Sequence, residues 1–180
     1  TGATYSITGN SFTVSPTTNT NYTVTGTNTL GCAGTTIATV SVNATPVLTV
    51  TGTSTICNGS TTTFSINGAS TYSWSGTGLA SNTIVVSPTS NTVYAVIGTS
   101  NNCTATVNQS VTVNALPTLV ISGSNSICVG SSTTFTASGA STYSWLTTAN
   151  TTSLITVTPS STSIYTVSGT NTNNCTSTQT

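Results

Sequence analysis

The sequence predicts an all-β protein made of tandem β-sandwich repeats of about 71 residues. Three observations lead to this prediction: the composition, an internal repeat, and short alternating segments separated by turn signals. Thr is the commonest residue, Val and Ser are abundant, and straight-chain helix formers are nearly absent. Thr and Val favour strands, whereas the many Gly and Asn residues favour turns. The composition therefore excludes a helical protein.

The repeat is visible in one motif. GASTYSW occurs at 68–74 and again at 139–145, and a shorter version, GATYSI, occupies 2–7. Cys57 and Cys128 share the same offset of 71 residues. We therefore expect three repeat copies, and their bounds are 1–44 with the N-terminal part missing, 45–115 complete, and 116–180 with the C-terminal part missing.

Alternation and punctuation predict the strands of the central copy in order. The predicted strands are 46–52, 61–66 after a CNGS turn, 71–74, 83–88 ending at a proline, 92–98, and 104–114 after the tight turn SNNC. A seven-stranded or nearly seven-stranded antiparallel sandwich follows. The side chains expected in its core are Phe64, Ile66, Tyr72, Trp74, Ile84, Val86, Tyr94, Val96, Val111 and Val113. The linkers at 44–46 and 115–117 are short, which favours a semi-rigid rod.

The aromatic residues form a core signature. Residues two apart on a strand face the same side, so Tyr72 with Trp74 and Tyr143 with Trp145 point together into the sandwich. An aromatic platform for sugar stacking is the functional alternative, but the first copy has Ile7 in place of Trp, which suits packing. A second set follows a proline by six residues, as in a tyrosine corner, and it consists of Tyr22, Tyr94 and Tyr165.

The chain contains no Lys, Arg, Asp, Glu or His. General acid–base catalysis needs a group that titrates near the working pH, and a hydroxyl nucleophile needs an adjacent base. Calcium, magnesium and catalytic zinc sites need carboxylates or His. Without Lys or Arg the chain has no positively charged surface that could bind the phosphates of a nucleic acid. We therefore expect no enzyme, no metal or cofactor site, no nucleic-acid partner and, since no apolar run is long enough, no membrane insertion.

A family resemblance rests on the order of motifs. The second and third copies carry ICNGS or ICVGS, then GASTYSW, then VSP or VTP, then a Tyr-containing strand and a Cys-containing turn. This order resembles the tandem immunoglobulin-like (PKD-like) repeats of large cell-surface and secreted adhesins of Bacteroidota, of the gliding-motility type exported by type 9 secretion. The resemblance implies an extracellular, cell-surface location, a disulfide-compatible setting and a spacer or adhesive role.

The leading functional hypothesis is a structural segment of an extracellular fibre or adhesin stalk, whose partners are further copies of the same repeat or chain. Zero net charge removes the repulsion that keeps proteins apart, which favours such association. The alternative is a ligand-binding adhesin module that recognises a surface glycan or ice through Thr-rich strands such as TVTGTNT at 23–29. Thr also fills exposed strand faces for geometric reasons alone.

The five cysteines leave two pairing schemes open. Pairing within a copy joins Cys57 to Cys103 and Cys128 to Cys175, and leaves Cys32 for a partner before residue 1. In an immunoglobulin-like topology the first and last strands can be parallel neighbours, which places Cys57 and Cys103 at opposite poles. That geometry favours Cys57 with Cys175, across two copies, unless the first strand switches sheets. Cys32 and Cys103 would then pair before residue 1, and Cys128 after residue 180.

Overall fold

The structure, a computed structural model, describes residue 9 and residues 11–180. All regular elements in this part of the chain are β-strands, as the composition predicts. No helix among these residues is long and apolar enough to cross a membrane. The GATYSI copy at 2–7 lies outside the described residues.

The first repeat contributes an antiparallel hairpin of β1 (Thr20–Thr27) and β2 (Ala33–Val40). The loop between them is organised by Asn28, whose side-chain oxygen accepts the backbone N–H groups of Leu30 and Cys32 at 3.0 and 2.9 Å. Asn favours such local turns because its short side chain can bond to its own backbone two residues on.

The second repeat contains seven strands, as expected for residues 45–115. They are β3 (Thr49–Thr51), β4 (Thr55–Cys57), β5 (Thr62–Asn67), β6 (Thr71–Trp74), β7 (Thr83–Val86), β8 (Thr92–Ser100) and β9 (Cys103–Asn114). One sheet has the order β3-β5-β7, and the other has the order β4-β9-β8-β6. All neighbouring strands are antiparallel except β4 and β9, which are parallel.

The first strand of this repeat differs from the prediction. Instead of one strand over 46–52, the chain forms β3 in one sheet and then crosses to the other sheet as β4. The crossing begins at Gly52, where φ is +141° and an added Cβ would overlap the Thr63 carbonyl oxygen. The hydroxyl of Thr62, a buried side chain, donates to the Thr53 carbonyl at 2.7 Å and fixes the crossing.

The core of the second repeat lies between its two sheets, an arrangement consistent with a β-sandwich. Seven predicted core residues are buried, and they are Phe64, Ile66, Trp74, Ile84, Val86, Val96 and Val111. Tyr72, Tyr94 and Val113 are only partly buried, at the margin of this cluster. The prediction that they are buried is therefore met only in part for these three. For Tyr72 the hydroxyl donates to the Ala69 carbonyl in the turn before β6.

The third repeat has the same plan with fewer strands. They are β10 (Val120–Ser122), β11 (Thr133–Ser138), β12 (Thr142–Trp145), β13 (Leu154–Val157), β14 (Val167–Thr170) and β15 (Thr176–Gln179). The sheet orders are β10-β11-β13 and β12-β14-β15. A separate buried cluster lies between them, with Trp145 and Val167 fully covered. Residues 126–128, the counterpart of β4, form no strand.

Candidate functional site: the junction between repeats

A disulfide joins the second repeat to the third. Cys57 bonds to Cys175, with 5.5 Å between their Cα atoms and 118 residues between them in sequence. The structure thus contains the pairing across two copies that strand geometry favours. The pairing of Cys57 with Cys103 is wrong, because β9 separates Cys103 from the pole where Cys57 lies by roughly 36 Å of extended chain.

Cys57 reaches this junction because of β4. In the parallel pair of β4 with β9, Cys57 lies opposite Asn114, the last residue of β9. The N–H of Asn58 donates to the Asn114 carbonyl at 2.8 Å, and a turn at Gly59 (φ +85°) then carries the chain away. The switch of the first strand between sheets therefore holds Cys57 beside Asn114 at the end of the repeat. It does not bring Cys57 to Cys103.

Cys175 reaches the same place from the third repeat. It ends the loop between β14 and β15, which is held by Asn171, whose side-chain oxygen accepts the N–H groups of Asn173 and Cys175, both at 3.0 Å. The side-chain amide of Asn171 donates to the Ala115 carbonyl at 2.9 Å. Because Ala115 directly follows Asn114, both cysteines are anchored to adjacent residues of the chain.

The short linker is held against the third repeat by further contacts. The Ser177 hydroxyl donates to the Pro117 carbonyl at 2.6 Å, and Leu119 is buried. A Cβ at Gly139 would overlap the Thr118 carbonyl oxygen, so only Gly allows the linker to lie this close. Sequence reasoning missed Asn171 and Ser177. The shared spacing of Asn28 from Cys32 and of Asn171 from Cys175 could have identified the first of them.

The GASTYSW motif shapes the turn on which the linker rests. The Tyr143 hydroxyl donates to the Ala140 carbonyl at 2.9 Å and accepts the Ala140 N–H at 3.1 Å. Tyr72 makes the same two bonds to Ala69, at 2.8 and 2.9 Å. The tyrosine of the motif therefore stabilises its own turn through two hydrogen bonds and also packs against the core.

The tryptophans of the motif are core residues, as the sequence predicts. Trp74 and Trp145 are almost fully buried. Their indole N–H groups donate to the carbonyls of Ser81 and Thr152 at 2.9 and 3.1 Å. A buried indole that has its hydrogen bond satisfied, with no exposed face, is not placed for sugar stacking.

The other three tyrosines that the structure describes pack against phenylalanine rings. Tyr22, which is 6% exposed, lies 6.0 Å from Phe12 between ring centroids. The Tyr94 ring packs 6.5 Å from Phe64, and the Tyr165 ring packs 5.6 Å from Phe135. Among the described residues, the hydroxyls of Tyr94 and Tyr165 make no hydrogen bond. These residues contribute ring packing, and the hydrogen bond of a tyrosine corner is not formed at either position.

The preceding junction repeats this arrangement. Cys103, the counterpart of Cys175, donates its S–H to the Asn43 carbonyl at 3.6 Å, and the Asn43 side chain donates to the Asn101 carbonyl at 3.2 Å. Asn43 precedes Asn114 by 71 residues. A cysteine loop therefore lies against the end of the previous repeat at both junctions.

The remaining cysteines form no bridge within the part of the chain that the structure describes. Cys32 and Cys128 are exposed, and Cys103 is partly buried. The expectation that they pair before residue 1 or after residue 180 stays a prediction.

The chain matches no protein-family model and no curated protein sequence. The chemistry that the structure shows at the junction is a covalent link between two folded units.

Proposed function

We propose that the chain is a structural segment of an extracellular fibre or adhesin stalk, built from stacked immunoglobulin-like repeats on a bacterial surface. The bridge between Cys57 and Cys175 carries this proposal, because it fastens one repeat to the next and not one strand to another within a repeat. No catalytic role, metal or cofactor belongs to it. Disulfides persist in oxidising compartments, which supports an extracellular location.

The repetition of the junction supports a periodic assembly. At the first junction Asn43 contacts Asn101 and Cys103 of the following repeat. At the second junction the carbonyl of Ala115 accepts a hydrogen bond from Asn171 of the following repeat, and Cys57 bonds to Cys175. A contact that recurs with the period of the sequence can recur in every copy of a longer array. Each repeat then stabilises its neighbours, as in other repeat proteins.

The uncharged surface supports close packing of such segments. With no side-chain charge, neighbouring copies experience no electrostatic repulsion. Apolar side chains such as Val85 (62% exposed) and Val93 (60% exposed) lie on the outer faces of the second repeat. Exposed apolar side chains on an uncharged surface favour lateral contacts between copies within a fibre.

Immunogold electron microscopy tests this function. An antibody raised against residues 45–180 should label filaments on the surface of intact source cells, and the label should remain after washing and disappear after protease shaving. The cytoplasmic fraction is the matched control. Label confined to that fraction would refute the proposal.

A further inference from the structure

The first segment of the second repeat crosses the whole repeat in a single pass. It starts at Asn43, whose carbonyl accepts the S–H of Cys103 at 3.6 Å, and it ends at Cys57, which lies opposite Asn114. Cys103 and Asn114 are the two ends of β9, so roughly 36 Å separate the two ends of this segment. We call residues 43–57 the strap.

The strap does not reverse direction where it changes sheets. Its β3 part runs antiparallel to β5, and its β4 part runs parallel to β9. The Val47 carbonyl lies against Gly68, and Ser70, two residues further on, bonds to Ser100 beside the start of β9. β3 therefore begins at the end of the repeat where β9 begins, and β4 finishes where β9 finishes.

The strap is already close to its full length in the folded protein. A chain that runs from residue 43 to residue 57 reaches at most about 50 Å when it is fully extended. Since its ends are roughly 36 Å apart along β9, pulling on them can lengthen the strap by only about 14 Å. The strap is therefore nearly taut before any other strand of the repeat moves.

The disulfide continues the strap into the third repeat. Cys57 bonds to Cys175, with 5.5 Å between their Cα atoms, and Cys175 directly precedes β15. The shortest covalent path from Asn43 to β15 thus consists of the strap, the bridge and one residue of the third repeat. It leaves out residues 58–174, which lie inside the loop that the bridge closes and which include strands β5 to β14.

We propose that the bridge between Cys57 and Cys175 has a mechanical function: it carries tension along the chain past the cores of both repeats. Tension loads the strap, the disulfide and β15, and among the sheet contacts of the second repeat it loads only those of the strap itself, with β5 and β9. The strands inside the loop stay out of the load path. This inference deepens the proposed function, because a stalk has to transmit force, and it rests on that function for its biological meaning.

The size of the loop sets the length of chain that tension cannot release. Cys57 and Cys175 are 118 residues apart, which corresponds to about 42 nm of fully extended chain. With the bridge intact, this length stays unavailable even if a core inside the loop opens. Without the bridge, the same tension can unfold both repeats and extend the whole segment.

Single-molecule force spectroscopy of the oxidised full chain tests this function. The chain is held at its two ends between reference domains of known length, and its contour length is measured at full extension, so that the comparison does not depend on whether a variant folds. The Cys57→Ser/Cys175→Ser chain should be about 42 nm longer than the parent. Cys128→Ser, which keeps the bridge, is the matched control and should have the parent length.

A matched pair of insertions tests the load path itself. A flexible Gly-Ser segment of about 20 residues adds about 7 nm of extendable chain. Inserted after Ala44, an exposed residue of the strap, it should lengthen the oxidised chain by this amount. Inserted after Thr89, an exposed residue inside the loop, it should add nothing while the bridge is intact and about 7 nm in the double serine chain.

Equal contour lengths of the parent and the double serine chain overturn the inference. An insertion after Thr89 that lengthens the oxidised chain by the length of the insert overturns it as well, and so does an insertion after Ala44 that adds nothing. These outcomes are separate from failure of the proposed function. The force measurement succeeds or fails in the purified chain, whereas the fibre proposal fails if cells carry no labelled filaments.

Discussion

Removing the bridge between Cys57 and Cys175 should lower stability and also change how the repeats unfold. The perturbation is the double variant Cys57→Ser/Cys175→Ser, which leaves no unpaired thiol at the junction. If the third repeat unfolds alone, the bridge closes a loop of about 60 residues, from 116 to 175, because Cys57 lies opposite Asn114 in the folded second repeat. If the second repeat unfolds alone, the closed loop spans the 58 residues from 57 to 114.

The magnitudes follow from the loop lengths. Closing either loop removes unfolded-state entropy equivalent to about 4 kcal/mol at 25 °C, whereas closing the full 118-residue loop when both repeats unfold is equivalent to about 5 kcal/mol. The bridge therefore opposes unfolding of either repeat alone almost as strongly as it opposes unfolding of both. It couples them, and the oxidised pair should unfold in one transition.

Differential scanning calorimetry without reductant measures both effects. We expect the double serine variant to unfold in separate transitions, the lower of them roughly 15 to 30 °C below the parent, since 1 kcal/mol shifts a domain of this size by about 4–8 °C. Cys128→Ser, which changes an exposed unpaired cysteine, is the matched control and should melt like the parent. A double variant that melts within about 3 °C of the parent in the same number of transitions would refute this reasoning.

Three further predictions concern the junction and the charge. Gly139→Ala should cost about 1–3 kcal/mol more in urea unfolding than Gly130→Ala, because both sites have positive φ but only the first Cβ meets the Thr118 carbonyl; equal costs would contradict the close approach. Tyr143→Phe should cost about 1–3 kcal/mol because two hydrogen bonds to Ala140 are lost, while Tyr165→Phe, which loses none, should be nearly neutral in the same assay. Stability should not change between about pH 4.5 and 6.5, because no side chain titrates there and folded and unfolded chains bind equal numbers of protons; a sloping Tm profile in that range would contradict this.

The period and most strands could be predicted from the sequence because each rests on local pattern. The alternation in 61–66 and 104–114 marks one buried face, and the paired Asn101 and Asn102 favour the two-residue turn that the structure has, with φ +48° and +63°. An alternation of apolar and polar residues with a period of two identifies such strands without knowledge of their partners.

The division of the first strand could not be predicted in the same way. β3 and β4 have three residues each, too few for periodicity to identify, and the parallel pairing of β4 depends on β9, some 55 residues later. The partial burial of Tyr72 has a similar cause, because its hydroxyl bonds to a turn whose position only the folded chain defines. The junction contacts of Asn171 also depend on tertiary structure, although its spacing from Cys175 was visible.

Disulfide mapping tests most directly the central claim that consecutive repeats are joined covalently. The chain has no Lys or Arg, so chymotrypsin replaces trypsin after free thiols are alkylated under denaturing conditions. Cleavage after aromatic residues and Leu places Cys57 in 49–64, Cys103 in 95–119 and Cys175 in 166–180. Mass spectrometry of the unreduced digest should find 49–64 linked to 166–180. A link between 49–64 and 95–119 would contradict the covalent junction.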